Sequence, residues 1–107
     1  MNDTVLELAP FKIKPTSAES DLLAASDTFQ KAFLDKQDGF IRRDFVRKED
    51  GTFVDVILWQ SRAHADAVFE EAKSSDAAGA YFSHIHVDSE NADPGVELCT
   101  VLRSFAR

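Results

Sequence analysis

The stretch from Gly39 to Ser61 restricts the fold more than any other part of the chain. Residues 40–48 and 52–60 are two strand-like runs rich in Phe, Val, Ile and Trp. Between them stands Asp50-Gly51, a dipeptide suited to a tight hairpin turn. Helical patterns lie on both sides. A hairpin enclosed by two helical patterns leaves few ways of building one sheet.

Before the hairpin, residues 4–14 read as a strand with apolar side chains on both parities, as a central strand requires. Pro10 has no amide hydrogen for a ladder, so a bulge or break is expected beside it. Thr16-Ser17-Ala18-Glu19 has the pattern of a capping box, and it predicts a helix from there to about Gln37. Leu22, Ser26, Phe29 and Phe33 form its inward stripe, widened by Ala25 and Ala32. Gly39 ends it.

After the hairpin, Ser61 is placed to cap a second helix with Ala65, Val68, Phe69 and Ala72 inward. Ser74-Ser75-Asp76 interrupts that helix. A short third one follows, offering Ala78, Tyr81 and Phe82 to the core. Residues 84–95 are polar and carry the turn signal Asp93-Pro94-Gly95. Residues 96–105 read as a last strand. The order β-α-β-β-α-β predicts a single ferredoxin-like α+β domain over residues 1–107, with a four-stranded antiparallel sheet and both helices on one face. In that topology the first and third strands are central.

A two-residue loop pairs Glu49 with Thr52, and counting outward sets the two faces of the hairpin. On this register Phe45, Val54, Val56 and Leu58 meet the helices. Arg42, Asp44, Phe53, Asp55 and Trp59 share the opposite, mixed face. A three-residue loop with a glycine bulge would shift the pairing by one and exchange the faces. The mixed face is the expected homodimer interface, with Trp59, Arg42 and Asp55 in it. Asp55, a carboxylate within a central strand, needs a partner, and Lys48 or Arg42 is the expected one.

The chain has 107 residues, 44% of them hydrophobic, which suffices for a small core. Its net charge of −7 argues against nucleic acid and anionic membranes as partners. One cysteine, Cys99, allows no intramolecular disulfide and suits a reducing compartment. The N-terminal residues lack a signal-peptide pattern, and no apolar run has the roughly 20 residues that span a bilayer. A cytoplasmic protein is expected.

Gly39-Phe40, Asp50-Gly51, Trp59-Gln60-Ser61 and Phe82-Ser83-His84-Ile85-His86 together resemble the antibiotic-biosynthesis monooxygenase-like group of the dimeric α/β-barrel superfamily. The resemblance implies a homodimer formed by two sheets, with a pocket between sheet and helices. It implies a cofactor-independent monooxygenase acting on a small, partly apolar molecule, without metal or organic cofactor. The other reading is a non-catalytic dimeric module that binds a ligand or serves in stress. Haem-degrading members of the superfamily use a first-strand asparagine, a second-helix tryptophan and a histidine after that helix. Only the histidine has a counterpart here, His84.

On this resemblance Tyr81 and His84 are the catalytic candidates, with His84 as acid–base group. Trp59, Phe82 and Phe29 are the candidate substrate-binding residues. His84, His86 and Asp88 alternate and, if extended, point one way, a pattern that suits a divalent metal or simple exposure to solvent; no metal is expected. Cys99 is expected to be a small buried hydrophobe, and His64 an exposed helix residue.

Overall fold

The computed structural model describes residues 3–86 and 95–107. Its elements are β1 (Val5–Phe11), α1 (Glu19–Ala32), a 3-10 turn (Leu34–Lys36), β2 (Phe40–Arg47), β3 (Phe53–Trp59), α2 (Arg62–Ala72), α3 (Asp76–Phe82) and β4 (Glu97–Thr100). The four strands form one antiparallel sheet in the order β2-β3-β1-β4. This is the ferredoxin-like α+β arrangement, with β1 and β3 central. Asp88, Asp93 and Pro94 lie outside the described residues.

The hairpin departs from the two-residue loop. Lys48 pairs with Thr52, through Lys48 N–H to Thr52 O at 2.7 Å, so Glu49, Asp50 and Gly51 form a three-residue loop. Gly51 takes φ +90°, and the Asp50 carboxylate accepts from the Thr52 amide at 2.9 Å. Arg47 therefore lies opposite Phe53, Phe45 opposite Asp55, and Arg43 opposite Ile57. With a period of two, this one-residue shift exchanges the faces. Phe53, Asp55, Ile57 and Trp59 are buried under the helices, while Val54, Val56 and Leu58 are half-buried on the open face. A second irregularity, between Phe40 and Arg42, brings Phe40 opposite Trp59.

Pro10 causes no bulge: β1 runs in unbroken register from Val5 to Phe11 against β3. The reason lies on the other edge. Thr4 O accepts from Val101 N–H, so Thr4, Leu6, Leu8 and Pro10 present their backbone groups towards β4. The β4 pairing ends at Leu8, and the missing amide of Pro10 removes no ladder bond.

The inward stripe of α1 is as expected at Leu22, Ser26, Phe29 and Phe33, all buried, but Ala32 is exposed. The capping box does not form. The helix begins at Glu19 with Ala18 as an unbonded N-cap, and it ends at Ala32 before the 3-10 turn. Ser61 does cap α2, accepting from the His64 amide at 3.2 Å. Ala65 and Val68 are buried, and Ala72 packs against the core. β4 is only four residues long, and Leu102 and Phe105 beyond it are exposed. Among the described residues no helix is long and apolar enough to cross a membrane.

His64 is half-buried rather than exposed, because its ring packs on Gly39. Gly39 has φ +86°, and a Cβ there would come within 2.6 Å of the ring. Gly51 shares the left-handed conformation but faces open space. Gly51→Ala should thus cost about 1–2 kcal/mol, the conformational penalty alone. Gly39→Ala should cost clearly more, since it adds a steric clash. Urea denaturation of both variants checks this, and equal losses would contradict it.

Candidate functional site

Three strands contribute charged residues to the helix-covered face of the sheet. Asp55 of β3 stands directly opposite Ala9 and Phe45. Arg43 of β2 and Glu7 of β1 both face Ile57, two residues along, so each lies diagonal to Asp55. Both Asp55 oxygens are engaged. Arg43 Nε donates to Oδ1 at 2.7 Å, and the Tyr81 hydroxyl from α3 donates to Oδ2 at 2.6 Å. The partner is Arg43, not Lys48 or Arg42, because the register shift turns Arg43 inward. Arg42 instead pairs with Asp44 at 2.8 Å on the exposed face.

The guanidinium of Arg43 lies 5.3–5.4 Å from the ring centroids of Phe29, Phe45 and Tyr81. Phe29 stacks on Tyr81 at 4.9 Å, which closes this aromatic casing. A buried ion pair needs such support, since desolvating two charges costs several kcal/mol that their attraction alone barely offsets. The casing and Asp55 together push the Tyr81 hydroxyl far above the ordinary phenol value, mainly through burial and then through the adjacent carboxylate. Tyr81 is therefore a fixed hydrogen-bond donor to Asp55.

Glu7 has a different environment. It is 7% exposed, and its Oε1 accepts from Trp59 Nε1 at 3.0 Å. Its Oε2 has no partner among the described residues. Burial raises its pKa above 4.5, the Trp59 bond works against the rise, and nearby Asp55 adds to it.

Beside these groups lies a cavity of about 320 Å³ between the sheet and the helices. Glu7, Phe11, Asp55, Ile57 and Trp59 line it from the sheet. Phe29, Val68, Phe69, Ala72 and Phe82 line it from the helices. The Glu7 and Asp55 carboxylates are the only charged groups in its wall among the described residues. Among the lining residues, Phe69 and Phe82 are the exposed ones, at 40% and 45%.

The candidates named from sequence are thus separated. Trp59, Phe29 and Phe82 do line the cavity. Trp59, only 1% exposed, and Asp55 face the helices and not the open sheet surface; of the three proposed interface residues Arg42 alone lies there. Tyr81 is buried with its hydroxyl taken by Asp55. His84 lies apart from the cavity wall. The bridge Ile13–Ile85 fixes the backbone around it, and its Nδ1 is 2.9 Å from Ser17 Oγ. Tyr81 and His84 therefore do not converge on the cavity. His86 is exposed, and among the described residues no group of three His, Cys, Asp or Glu side chains is placed to hold a metal ion. Cys99 is half-buried. Glu7 was passed over in sequence, although a lone carboxylate between Val5 and Ala9 in a central strand carries the same signal as Asp55.

The architecture matches solved structures over nearly the whole chain. The chain has the fold of the antibiotic-biosynthesis monooxygenase-like proteins. SnoaB, a cofactor-independent oxygenase from Streptomyces nogalater, is 18% identical, with TM-score 0.71 over 98% of this chain and 99% of that one. An antibiotic-biosynthesis-monooxygenase-like protein from Bordetella bronchiseptica is 13% identical, with TM-score 0.70 over 96% and 99%. Rv0793 from Mycobacterium tuberculosis is 18% identical, with TM-score 0.64 over 96% and 99%. No protein-family model and no curated protein matches the sequence.

Two measurements test this electrostatic arrangement. Tyr81→Phe removes a donor to a buried carboxylate and should cost about 1.5–3 kcal/mol in denaturant unfolding. For Glu7 the sign follows from its raised value. The folded state holds the proton more tightly, so stability is full below 4.5 and falls as pH rises through the folded-state value. Glu7→Gln should flatten the stability profile above pH 4.5. An unchanged slope would show that folding leaves the Glu7 ionisation unshifted.

Proposed function

We propose that the chain is a homodimeric oxygenase of the cofactor-independent kind, acting on a small, partly apolar molecule held between sheet and helices. The observation carrying this reading is that Glu7, whose Oε2 has no partner among the described residues, lines a mostly apolar cavity. A carboxylate whose pKa is raised by burial is a stronger base than an exposed one. The likeness in fold to SnoaB and related monooxygenase-like proteins supports the reaction class.

In the proposed reaction Glu7 takes a proton from an acidic C–H of the substrate. The carbanion adds dioxygen, which a dry apolar cavity admits readily. Glu7 returns its proton to the resulting peroxide. Loss of water then leaves a carbonyl, so that a CH₂ group and O₂ give C=O and H₂O. Asp55 takes no part in the proton transfer, because Arg43 and Tyr81 occupy both of its oxygens. Trp59 holds Glu7 in place.

Dimerisation rests on the open face of the sheet. There Leu6, Leu8, Val54, Val56 and Leu58 remain only half-buried, and Val46 is exposed. Such a surface on a small chain fits a second copy of the same sheet. The interface is thus reassigned to the apolar face, which Arg42 and Asp44 border. A non-catalytic dimeric ligand-binding module is the second reading. It is favoured by the separation of Tyr81 and His84 from each other's chemistry.

Oxygen uptake with anthrone, a flat carbon acid, separates the two. The wild type should consume O₂, with kcat/KM rising through one ionisation above pH 4.5. Glu7→Gln should lose at least about 10²-fold in kcat, the usual scale of a general base. Binding of anthrone without uptake would leave the binding module. Separately, the wild type should sediment as a dimer at micromolar concentration and Val56→Arg as a monomer. A monomeric wild type would overturn the assembly.

A further inference from the structure

The cavity wall is unusual in the sign of what it offers a ligand. Among the described residues its charged groups are both carboxylates, Glu7 and Asp55, and the rest of that wall is almost wholly apolar. Asp55 has no free oxygen. Glu7 has one, and as a carboxylate it can only accept a hydrogen bond. The nearest buried cation, Arg43, is no part of the wall. Its Nε is spent on Asp55, its Nη1 faces Ser26 O and Gln30 Oε1 at 3.4 Å, and three rings enclose the guanidinium. Its Nη2 has no hydrogen-bond partner, yet it is fully buried and out of a ligand's reach. No lysine, arginine or histidine lines the cavity among the described residues. The net charge of −7 adds a long-range field of the same sign.

We infer that this cavity selects ligands whose polar head is a hydrogen-bond donor, a hydroxyl or a protonated amine on a flat apolar body, and rejects those carrying a carboxylate. A donor head makes the hydrogen bond that Glu7 Oε2 lacks among the described residues. An acid head places a second anion against it in a site where no counter-charge is within reach. Such an unpaired buried charge is what binding sites discriminate against most strongly. The aromatic rings of Phe29, Trp59, Phe69 and Phe82 suit a flat body of either kind. Glu7 is then the specificity-determining residue as well as the base. This inference rests on the proposed use of the cavity as a ligand site, and not on the oxygenase reaction.

The test is a calorimetric comparison of three probes of matched shape at pH 7: 2-naphthol, 2-naphthylmethylamine and 2-naphthoate. The naphthol and the ammonium should each bind at least about 10-fold more tightly than the naphthoate. The stronger of the first two tells whether the head is a hydroxyl or an ammonium. Glu7→Gln keeps an oxygen acceptor for Trp59 and removes the charge. It should shrink the gap by improving naphthoate binding. Naphthoate binding as tight as naphthol in the wild type would overturn the inference, and so would an unchanged gap in Glu7→Gln. If no probe binds, the cavity is not a ligand site and the inference falls with the proposed function. If the ranking holds but anthrone drives no oxygen uptake, only the reaction is lost.

Discussion

The ion pair between Arg43 and Asp55 sits beneath the helices, and the rest of the structure is arranged around what it requires. Two charges taken out of water are tolerable only if most of their remaining valences are met, and here Arg43 Nη2 alone of the pair's polar atoms has no hydrogen-bond partner among the described residues. Here they draw on every layer of the fold. β2 supplies the cation, β3 the anion, α3 the Tyr81 donor, and α1 the Phe29 ring together with the Ser26 carbonyl. A slip of one residue between β2 and β3 would carry one charge to the open face and strand the other in the core. The pair is thus a register lock. It selects one hairpin alignment from the two that Asp50-Gly51 permits, and the three-residue loop is the one that keeps both charges on the same side.

That choice also explains how far the sequence could be read. Element order, central strands, the Leu22-Ser26-Phe29-Phe33 stripe and the Ser61 cap all follow from local patterns. Each is set by side-chain period or by a single hydrogen bond. The register is not local. A Gly with positive φ serves a two-residue or a three-residue loop equally well, and only the tertiary need to pair Asp55 with Arg43 decides between them. The two-residue alignment therefore puts Trp59 and Asp55 on the wrong face and leaves Arg43 out of the site. The oddity of Asp55 was legible, but its partner was not. Glu7 was obscured by the apolar residues around it. The place of His84 is not legible either, because the Ile13–Ile85 bridge beside it and its contact with Ser17 both join segments far apart in sequence.

Two carboxylates on one sheet face thus meet opposite fates. Asp55 receives a guanidinium and a phenol, which use both of its oxygens. Glu7 receives a single indole N–H and otherwise an apolar surface, so burial opposes its charge. Dividing the roles in this way leaves one group inert and the other with an unmet valence. The inert group helps tune the other, because the negative charge on Asp55 adds to the rise at Glu7 while Arg43 opposes it. The ion pair and the single-bonded carboxyl are thus two parts of one electrostatic network.

The cavity itself follows from how the helices share the sheet. α1 and α3 pack closely on one another over the Phe29–Tyr81 stack, whereas α2 rests more lightly on β1 and β3. The inward residues of α2 are mostly small: Ala65, Val68 and Ala72. Larger side chains there would fill the space above Glu7 and Ile57. A hollow of about 320 Å³ forgoes dispersion contacts that a packed core would gain, and large-to-small substitutions in cores show that such gaps are costly. A sequence that spends three aromatic rings on enclosing one arginine, yet leaves a gap beside an underused carboxyl, departs from tight packing at that gap. Such local departures from an otherwise consistent fold are where function is expected. The buried charge pair and Glu7 share one face of the sheet, and the hollow lies where Glu7 borders the small residues of α2.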